Sequence, residues 1–361
     1  MVEWPEAIPY VNLYMATCVT YRNPPPLQEV LQTIVNRLNA KDAATALAAA
    51  RAGSVDDMMD MILRTCTGCG AAKNYDQALA LLTQFTDDTN PLKLSRSRRA
   101  RGFAITAHMC FEEGFTPGRG TMNIDAVHRG AVLADVAASL GFVAPIVLRI
   151  ADVVERTGFR RAETCPPGHS PDRFLVLKDL WRVYDRRKAE LERWDEARDA
   201  RVLAMPNRYF CAAAGCGIEA THGSALSSCA GQCHQDWKPS YCSKECQRKD
   251  WARHKPFCRS GGTPDPAIAL LRERIIRGEE EMGEGNEPPA VAAASGFVQR
   301  TSEEIASGRH ERRINVAGPE GGGFTVSSST MTPEFMRDVQ YHVQQRAREG
   351  LKVKSSQPLK G

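Results

Sequence analysis

The chain has 361 residues, 42% of them hydrophobic, enough for two or three domains with buried cores. Its net charge of +4, from 47 basic and 43 acidic residues, is too near neutral to argue for nucleic-acid binding. No run of about 18 apolar residues offers a membrane span, and the first residues carry Glu3 and Glu6 with no basic stretch, unlike a secretory signal.

These features predict an intracellular protein, in cytoplasm or nucleus, with no membrane partner; they say nothing of oligomeric state. Disulfides are rare in such compartments, and clustered cysteines there more often bind metal.

Residues 1–26 form an N-terminal segment ending in Asn23-Pro24-Pro25-Pro26, a stretch that cannot be helical. Residues 27–173 are expected to be a helical domain. From Leu27 to about Gly53, Leu27, Val30, Leu31, Ile34, Val35 and Leu38 recur at three- and four-residue steps. Ser54, with Asp57 three residues on, predicts a helix start, and that helix would carry Met58, Met59, Ile62 and Leu63. A further helix is expected from about Tyr75 to Phe85 with Ala78, Leu79 and Leu82 inward.

The stretch ALAAARAGSVDDMMDMILRTCTGCGAAKNYDQALALL has an echo in AITAHMCFEEGFTPGRGTMNIDAVHRGAVLADVAASLG. Each has an alanine-rich helix, a glycine-containing turn and an Asp-led helix with small inner residues. The pattern resembles Sel-like and tetratricopeptide repeats over roughly residues 40–160, which implies stacked helical hairpins offering a concave surface to partners; an irregular helical bundle is the alternative.

Between the two copies, Arg96-Ser97-Arg98-Arg99-Ala100-Arg101 is expected to be a solvated loop, with a nuclear-localisation role as the other reading. Cys66-Thr67-Gly68-Cys69 is a lone C-x-x-C with no second pair nearby, expected at an inter-helix turn rather than in a metal or redox site. Cys18, Cys110 and Cys165 read as buried or incidental thiols, and His108 and His128 as ordinary helical residues.

Residues 174–206 read as one long charged connecting helix, with Leu177, Leu180, Tyr184, Leu191 and Trp194 near one face and Pro206 at its end. Residues 259–361 are rich in Gly, Ser, Pro and charge and lack strand-like runs. They are expected to be mostly disordered, with short helices over about 265–282 and about 333–349. Thr332 would cap the second of these, with Pro333 first in the helix and Gly350 as its stop.

The segment that carries chemistry lies between these regions. Seven of the 12 cysteines fall between Cys211 and Cys258. Cys211 and Cys216, Cys229 and Cys233, Cys242 and Cys246, and His254 with Cys258 make four close pairs. Zinc takes four thiolate or imidazole ligands in a tetrahedron, so eight ligands satisfy two ions with none left over. Cys242 and Cys246 are four apart and would meet one ion at a helix start. The wider loop from Cys211 to Cys216 can form a knuckle aided by Gly215 and Gly217.

With every position filled by protein, the sites are structural, and no enzyme activity is expected. A segment this short and apolar-poor would depend on metal to fold. Lys238, Lys244, Arg248, Lys249, Arg253, Lys255 and Arg259 surround it and would offset the thiolate charge, which argues against reading them as a nucleic-acid surface.

Tyr241-Cys242, Cys246-Gln247, Asp250-Trp251, His254 and Cys258, at these spacings, closely resemble the C-terminal half of MYND zinc fingers. The resemblance covers residues 211–258, or the domain 207–258 with Asn207–Phe210. It implies interleaved sites, with Cys211, Cys216, Cys242 and Cys246 on one zinc and Cys229, Cys233, His254 and Cys258 on the other. It also implies binding of short proline-containing peptides, with Gln247 and Trp251 at the contacting positions; Trp251 packed in the finger's small core is the competing reading.

Cys211 and Cys216, and Cys229 and Cys233, are spaced more widely than in the family, and His222 and His234 stand nearby as other ligands. Cys233 is preferred to His234 because structural zinc favours thiolate. A corepressor-recruiting transcriptional regulator is the alternative function. A lysine methyltransferase with a SET domain is disfavoured, because no Asn-His or Asn-Cys dipeptide occurs. The resulting expectation is a mainly α protein: a helical-repeat-like N-terminal domain, a two-zinc cross-braced finger and a partly disordered tail.

Overall fold

A computed structural model describes residues 4–22, 24–25, 27–87, 89, 93–114, 122–161, 170, 172–259, 263–277, 312–317, 323–328, 331–342 and 345. The described residues divide into two compact units, 4–189 and 190–345. No helix among the described residues is long and apolar enough to cross a membrane.

The described residues of the first unit form helices joined by turns: α1 (Trp4–Thr17), α2 (Leu27–Ala40), α3 (Ala43–Arg51), α4 (Val55–Thr67), α5 (Tyr75–Thr86), α6 (Arg96–Gly114), α7 (Ile124–Ser139), α8 (Pro145–Arg156), the short α9 (Asp172–Leu175) and the start of α10 (Lys178–Ala204). Helix starts follow local side-chain chemistry. Ser54 accepts from the Asp57 amide as the capping pattern predicts, Asn74 accepts from Gln77 and Asn123 from Ala126. The helical stretch expected from Leu27 to about Gly53 is divided into two helices. Asp42 accepts from the Thr45 amide at 2.8 Å, which ends one run and starts the next.

Two cores form here. Residues of α1 to α5, with Ile105 of α6, build one; α6 to α9 and the first turns of α10 build the other. Ala7, Tyr10, Val11 and Leu13 of α1 are buried in the first, so the N-terminal segment shares a core with the helices that follow. Within α5, Ala78 and Leu82 are buried as expected, but Leu79 is exposed and Leu81 and Phe85 take the inward positions. The basic run Arg96–Arg101 is the first part of α6 and not a loop. Arg96 reaches the Ser139 carbonyl at 2.7 Å and Arg98 pairs with Asp56 at 2.9 Å.

Small residues let α6 and α7 approach closely. Ala104, Ala107, Ala131, Ala134, Ala137 and Ala138 are buried in this core. A Cβ on Gly130 would lie 3.1 Å from the Ala107 carbonyl oxygen, tighter than ordinary contact. Cys66 and Cys69 are buried, and burial pushes the Cys66 thiol up to about 12, which marks an inert core sulfur. Cys165 lies outside the described residues.

One buried ion pair ties three parts of the first core together. Arg64 Nε donates to Asp60 Oδ2 at 2.7 Å with both side chains at most 4% exposed. Tyr10 Oη donates to Asp60 Oδ1 at 2.7 Å, and Arg64 Nη2 donates to the Lys41 carbonyl at 2.8 Å. The carboxylate is thus held by α1 and α4, and the guanidinium by α4 and the turn after α2.

In the second unit the remaining elements are the end of α10, β1 (Ile218–Ala220), β2 (Ser227–Ser228), β3 (Ser240–Tyr241), α11 (Lys244–His254), α12 (Pro266–Arg277), β4 (Arg312–Ala317), β5 (Gly323–Ser328) and α13, helical over residues 333–342. The boundary between units falls inside α10; the single helix expected over 174–206 is broken at Val176 and Leu177, so that residue 174 belongs to α9 and the long charged helix starts at Lys178. The expected helix over 265–282 is α12, with 278–282 outside the described residues. The other expected helix is α13, where Thr332 Oγ1 accepts from the Phe335 amide at 3.3 Å; Gly350 lies outside the described residues.

The strands β4 and β5 correct the reading that no strand-forming runs follow Cys258. They pair antiparallel, and β4 pairs antiparallel with β1, giving a sheet of order β1-β4-β5 with Ile218 opposite Ile314. The reason is long-range: Ile314 and Val316 alternate inward and are buried against Ile218, Ala220 and Tyr209 in one core.

Removing one partner of a buried ion pair leaves the other charge without compensation. Asp60→Ala is therefore expected to destabilise the first unit by about 3–5 kcal/mol. Urea denaturation followed by helical circular dichroism checks this, and an unchanged midpoint would show that the pair contributes nothing.

Candidate metal centre

The finger begins where Pro206–Arg208 turns the chain out of α10. Asn207, buried, donates from Nδ2 to the Lys238 carbonyl at 2.7 Å and fixes this turn to the segment before β3. Cys211 donates its amide to the Ile218 carbonyl at 3.0 Å, and Cys216 donates to the Ala213 carbonyl at 3.1 Å, closing a knuckle. Gly215 and Gly217 take φ of +70° and +65° there, a backbone region that side chains with a Cβ resist. Ser243 caps α11 by accepting from the Cys246 amide at 3.2 Å, so Cys242 stands just before the helix and Cys246 in its first turn.

Two tetrahedral clusters result. Cys211, Cys216, Cys242 and Cys246 form one, and Cys229, Cys233, His254 and Cys258 the other, each with its ligand atoms within 4.8 Å of one another. The first combines pairs one and three along the chain and the second pairs two and four, so the sites interleave.

The dimensions fit zinc. A tetrahedron with Zn–S of about 2.3 Å has sulfur–sulfur edges of about 3.8 Å. The Cys216–Cys242, Cys242–Cys246 and Cys246–Cys216 sulfurs are 3.5, 3.5 and 3.7 Å apart. In the second cluster the Cys229–Cys258 and Cys233–Cys258 edges are 3.7 and 3.5 Å, and Cys233 Sγ to His254 Nε2 is 3.3 Å. Every donor is thiolate or imidazole, the set that structural zinc prefers.

Packed this closely, the free thiols of the first cluster perturb one another. Hydrogen bonding with Cys211 first, then Cys242, holds Cys216 below the ordinary thiol range, while bonding to Cys216 pushes Cys211 above it and bonding to Cys211, then Cys216, pushes Cys242 above it. In the second cluster burial is the first cause that raises Cys233 and Cys258. Metal binding takes such ligands as thiolates and releases their protons.

His234 stands apart from both clusters, its side chain 60% exposed beside Asp236, and His222 Nδ1 hydrogen-bonds Ser224 Oγ at 2.7 Å. The glycine between Cys229 and Cys233 is required by space. A Cβ on Gly231 would collide with Cys258 Sγ, and the Gly231 amide donates to Cys229 Sγ at 3.4 Å.

The ligands are held in turn by groups that sequence spacing does not reveal. Asp265, 1% exposed, accepts from His254 Nδ1 at 3.0 Å, which orients Nε2 toward the cluster. Arg253 bridges Asp265 and Asp250, making two 2.7 Å bonds to the latter, and Tyr241 Oη donates to Asp250 Oδ2 at 2.9 Å. Burial, then Asp250, pushes the Tyr241 phenol well above its usual range, so it remains a donor. Asp265 follows Cys258 by seven residues, and its only sequence signal is a place just before the Pro266 helix start, which also suits an ordinary cap.

Trp251 is 41% exposed and so lies outside the finger's core; Gln247 stands one turn earlier on α11 and is half-buried. Lys244, Arg248 and Lys255 are exposed on the same helix face or just beyond its end.

The fold and the donor set define a two-site, cross-braced zinc finger. Residues 211–258 match the family model of the MYND finger, a match that begins at the first ligand and ends at the last. MYND fingers are zinc-binding protein-interaction modules, and that is what the segment carries. No curated protein and no solved structure matches the chain.

The purified chain is expected to hold two zinc ions, measured by mass spectrometry under metal-retaining conditions. His234→Ala should keep both, whereas Gly231→Ala should lose one; one ion from His234→Ala would move that residue into the ligand set. Asp265→Asn should weaken one of the two ions by about 10- to 100-fold in chelator competition.

Proposed function

We propose that the chain is a non-catalytic adaptor whose finger binds short proline-containing peptide segments of other proteins. The observation that carries this reading is Trp251, which is 41% exposed on α11, edge-on to the His254 ring, instead of buried in the core. A large rigid apolar face of this kind suits a proline ring, and the neighbouring Gln247 amide can hydrogen-bond an extended peptide backbone. Both side chains project from the helix that supplies Cys246 and His254, so zinc binding and the peptide surface are mechanically joined.

Several features support a binding role over catalysis. Eight side chains complete two tetrahedra, which leaves no coordination position for a reactive water. The helical unit fits a scaffold role in the same reading, and its close small-residue crossings are the feature it shares with Sel-like and tetratricopeptide repeats. Recruitment of corepressors by a transcriptional regulator differs only in the partner, and no particular observation favours it. For the methyltransferase reading, β4 and β5 are strands after Cys258, but they extend the finger's own sheet.

Trp251→Ala is expected to keep both zinc ions and to lose about 2 kcal/mol of peptide affinity, about 30-fold. Fluorescence anisotropy with a panel of labelled proline-containing peptides measures it. Equal binding by both proteins, or no binding by either, would remove the groove from this surface.

A further inference from the structure

With zinc bound, a site of four thiolates carries a charge of about −2. Cys216, Cys242 and Cys246 of that site are buried, where such a charge needs a nearby cation or hydrogen-bond donors. The basic residues between Lys238 and Arg259 offer themselves by sequence, but Arg253 is engaged with Asp250 and Asp265, and Lys244, Arg248, Lys249 and Lys255 point to solvent. A cation from much farther along the chain takes the position instead. Arg337 Nη1 lies 3.5 Å from each of Cys216, Cys242 and Cys246 Sγ, so it caps one triangular face of the tetrahedron.

The helix that carries it is held against the finger by several independent contacts. Met336 is fully buried in the same core as Cys216, Cys242 and Cys246. Gln340 Nε2 donates to the Asn315 carbonyl at 2.7 Å, and β4 is paired to β1 beside the first knuckle. Arg313 is held on Glu219 by a 2.6 Å bond from Nε, which links β4 to β1 on the opposite face from Ile314. Arg337 Nη2 turns away to Glu334 at 3.3 Å, leaving Nη1 aimed at the sulfurs.

We infer that Arg337 is an outer-sphere partner of the first zinc site, the two N–H groups of its Nη1 shared among three of its thiolates, and that the folded finger extends past Cys258 to include β4, β5 and α13. The inference rests on the zinc reading of the cluster. Charge-assisted bonds of this kind draw electron density from sulfur, lower the net charge of the site and cover the sulfurs from protons and electrophiles. The finger is then completed in cis by a hairpin and helix more than fifty residues beyond its last ligand.

The test uses the full chain and three proteins: wild type, Arg337→Gln, which removes the guanidinium and its charge while keeping a polar side chain, and Arg337→Lys, which keeps the charge. Zinc release to a chromophoric chelator resolves the two ions. In Arg337→Gln one ion should leave about 10- to 100-fold faster while the other is unchanged, and Arg337→Lys should recover most of that difference. In the cobalt(II)-substituted proteins, the sulfur-to-metal charge-transfer band of one site should move to lower energy in Arg337→Gln, because the thiolates become stronger electron donors. A loss of packing alone would not restore release in the Lys variant or shift the band with four thiolates still bound. Two zinc ions in wild type with identical release from Arg337→Gln would overturn the assignment, as would a Lys variant as fast as the Gln variant. No zinc in wild type would overturn it together with the zinc reading itself.

Discussion

Sulfurs 3.5–3.7 Å apart in a buried cluster are close enough that, as thiolates, they repel unless a cation sits among them. That constraint organises the second unit. The strands there are two to six residues long, too short to make a stable sheet unaided. The two clusters tie together four short stretches of chain, and the interleaving of their ligand pairs couples the folding of one half to that of the other.

Around the ligands lies a second layer whose members come mostly from outside the pairs. Asp265 orients His254, while Tyr241, Asp250 and Arg253 link that carboxylate to the strand before α11. Arg337 does for the four-thiolate site what Asp265 does for the mixed site, with the sign of the charge reversed. Imidazole needs an acceptor on its far nitrogen; four thiolates need a donor. Each site therefore receives the partner that its own ligand chemistry demands, and both partners follow Cys258 in the chain.

The first unit is held by different physics. Alanine and glycine at the α6–α7 crossing bring backbones together at little cost in side-chain entropy, and the Asp60–Arg64 pair fixes α1 and α4 to the turn after α2. That pair is costly to desolvate, and Tyr10 and the Lys41 carbonyl each supply it one further hydrogen bond.

The two Cys/His clusters, the helix start at Ser54 and most of the long charged helix were legible in the residues alone, because each depends on spacings of three to five positions that one turn of chain can enforce. Leu79 was misplaced because a helix with apolar residues on most sides has more than one candidate inward face, and the neighbouring helices chose among them. The division of Leu27–Arg51 turned on one capping aspartate within an otherwise continuous pattern. Only the tertiary structure decided that Trp251 faces solvent, that Arg312–Ala317 forms a strand, and that Asp265 and Arg337 reach the metal sites. Those outcomes depend on contacts between residues 11 to 121 positions apart, and no local period in the chain records which distant partner a strand or a charge will meet.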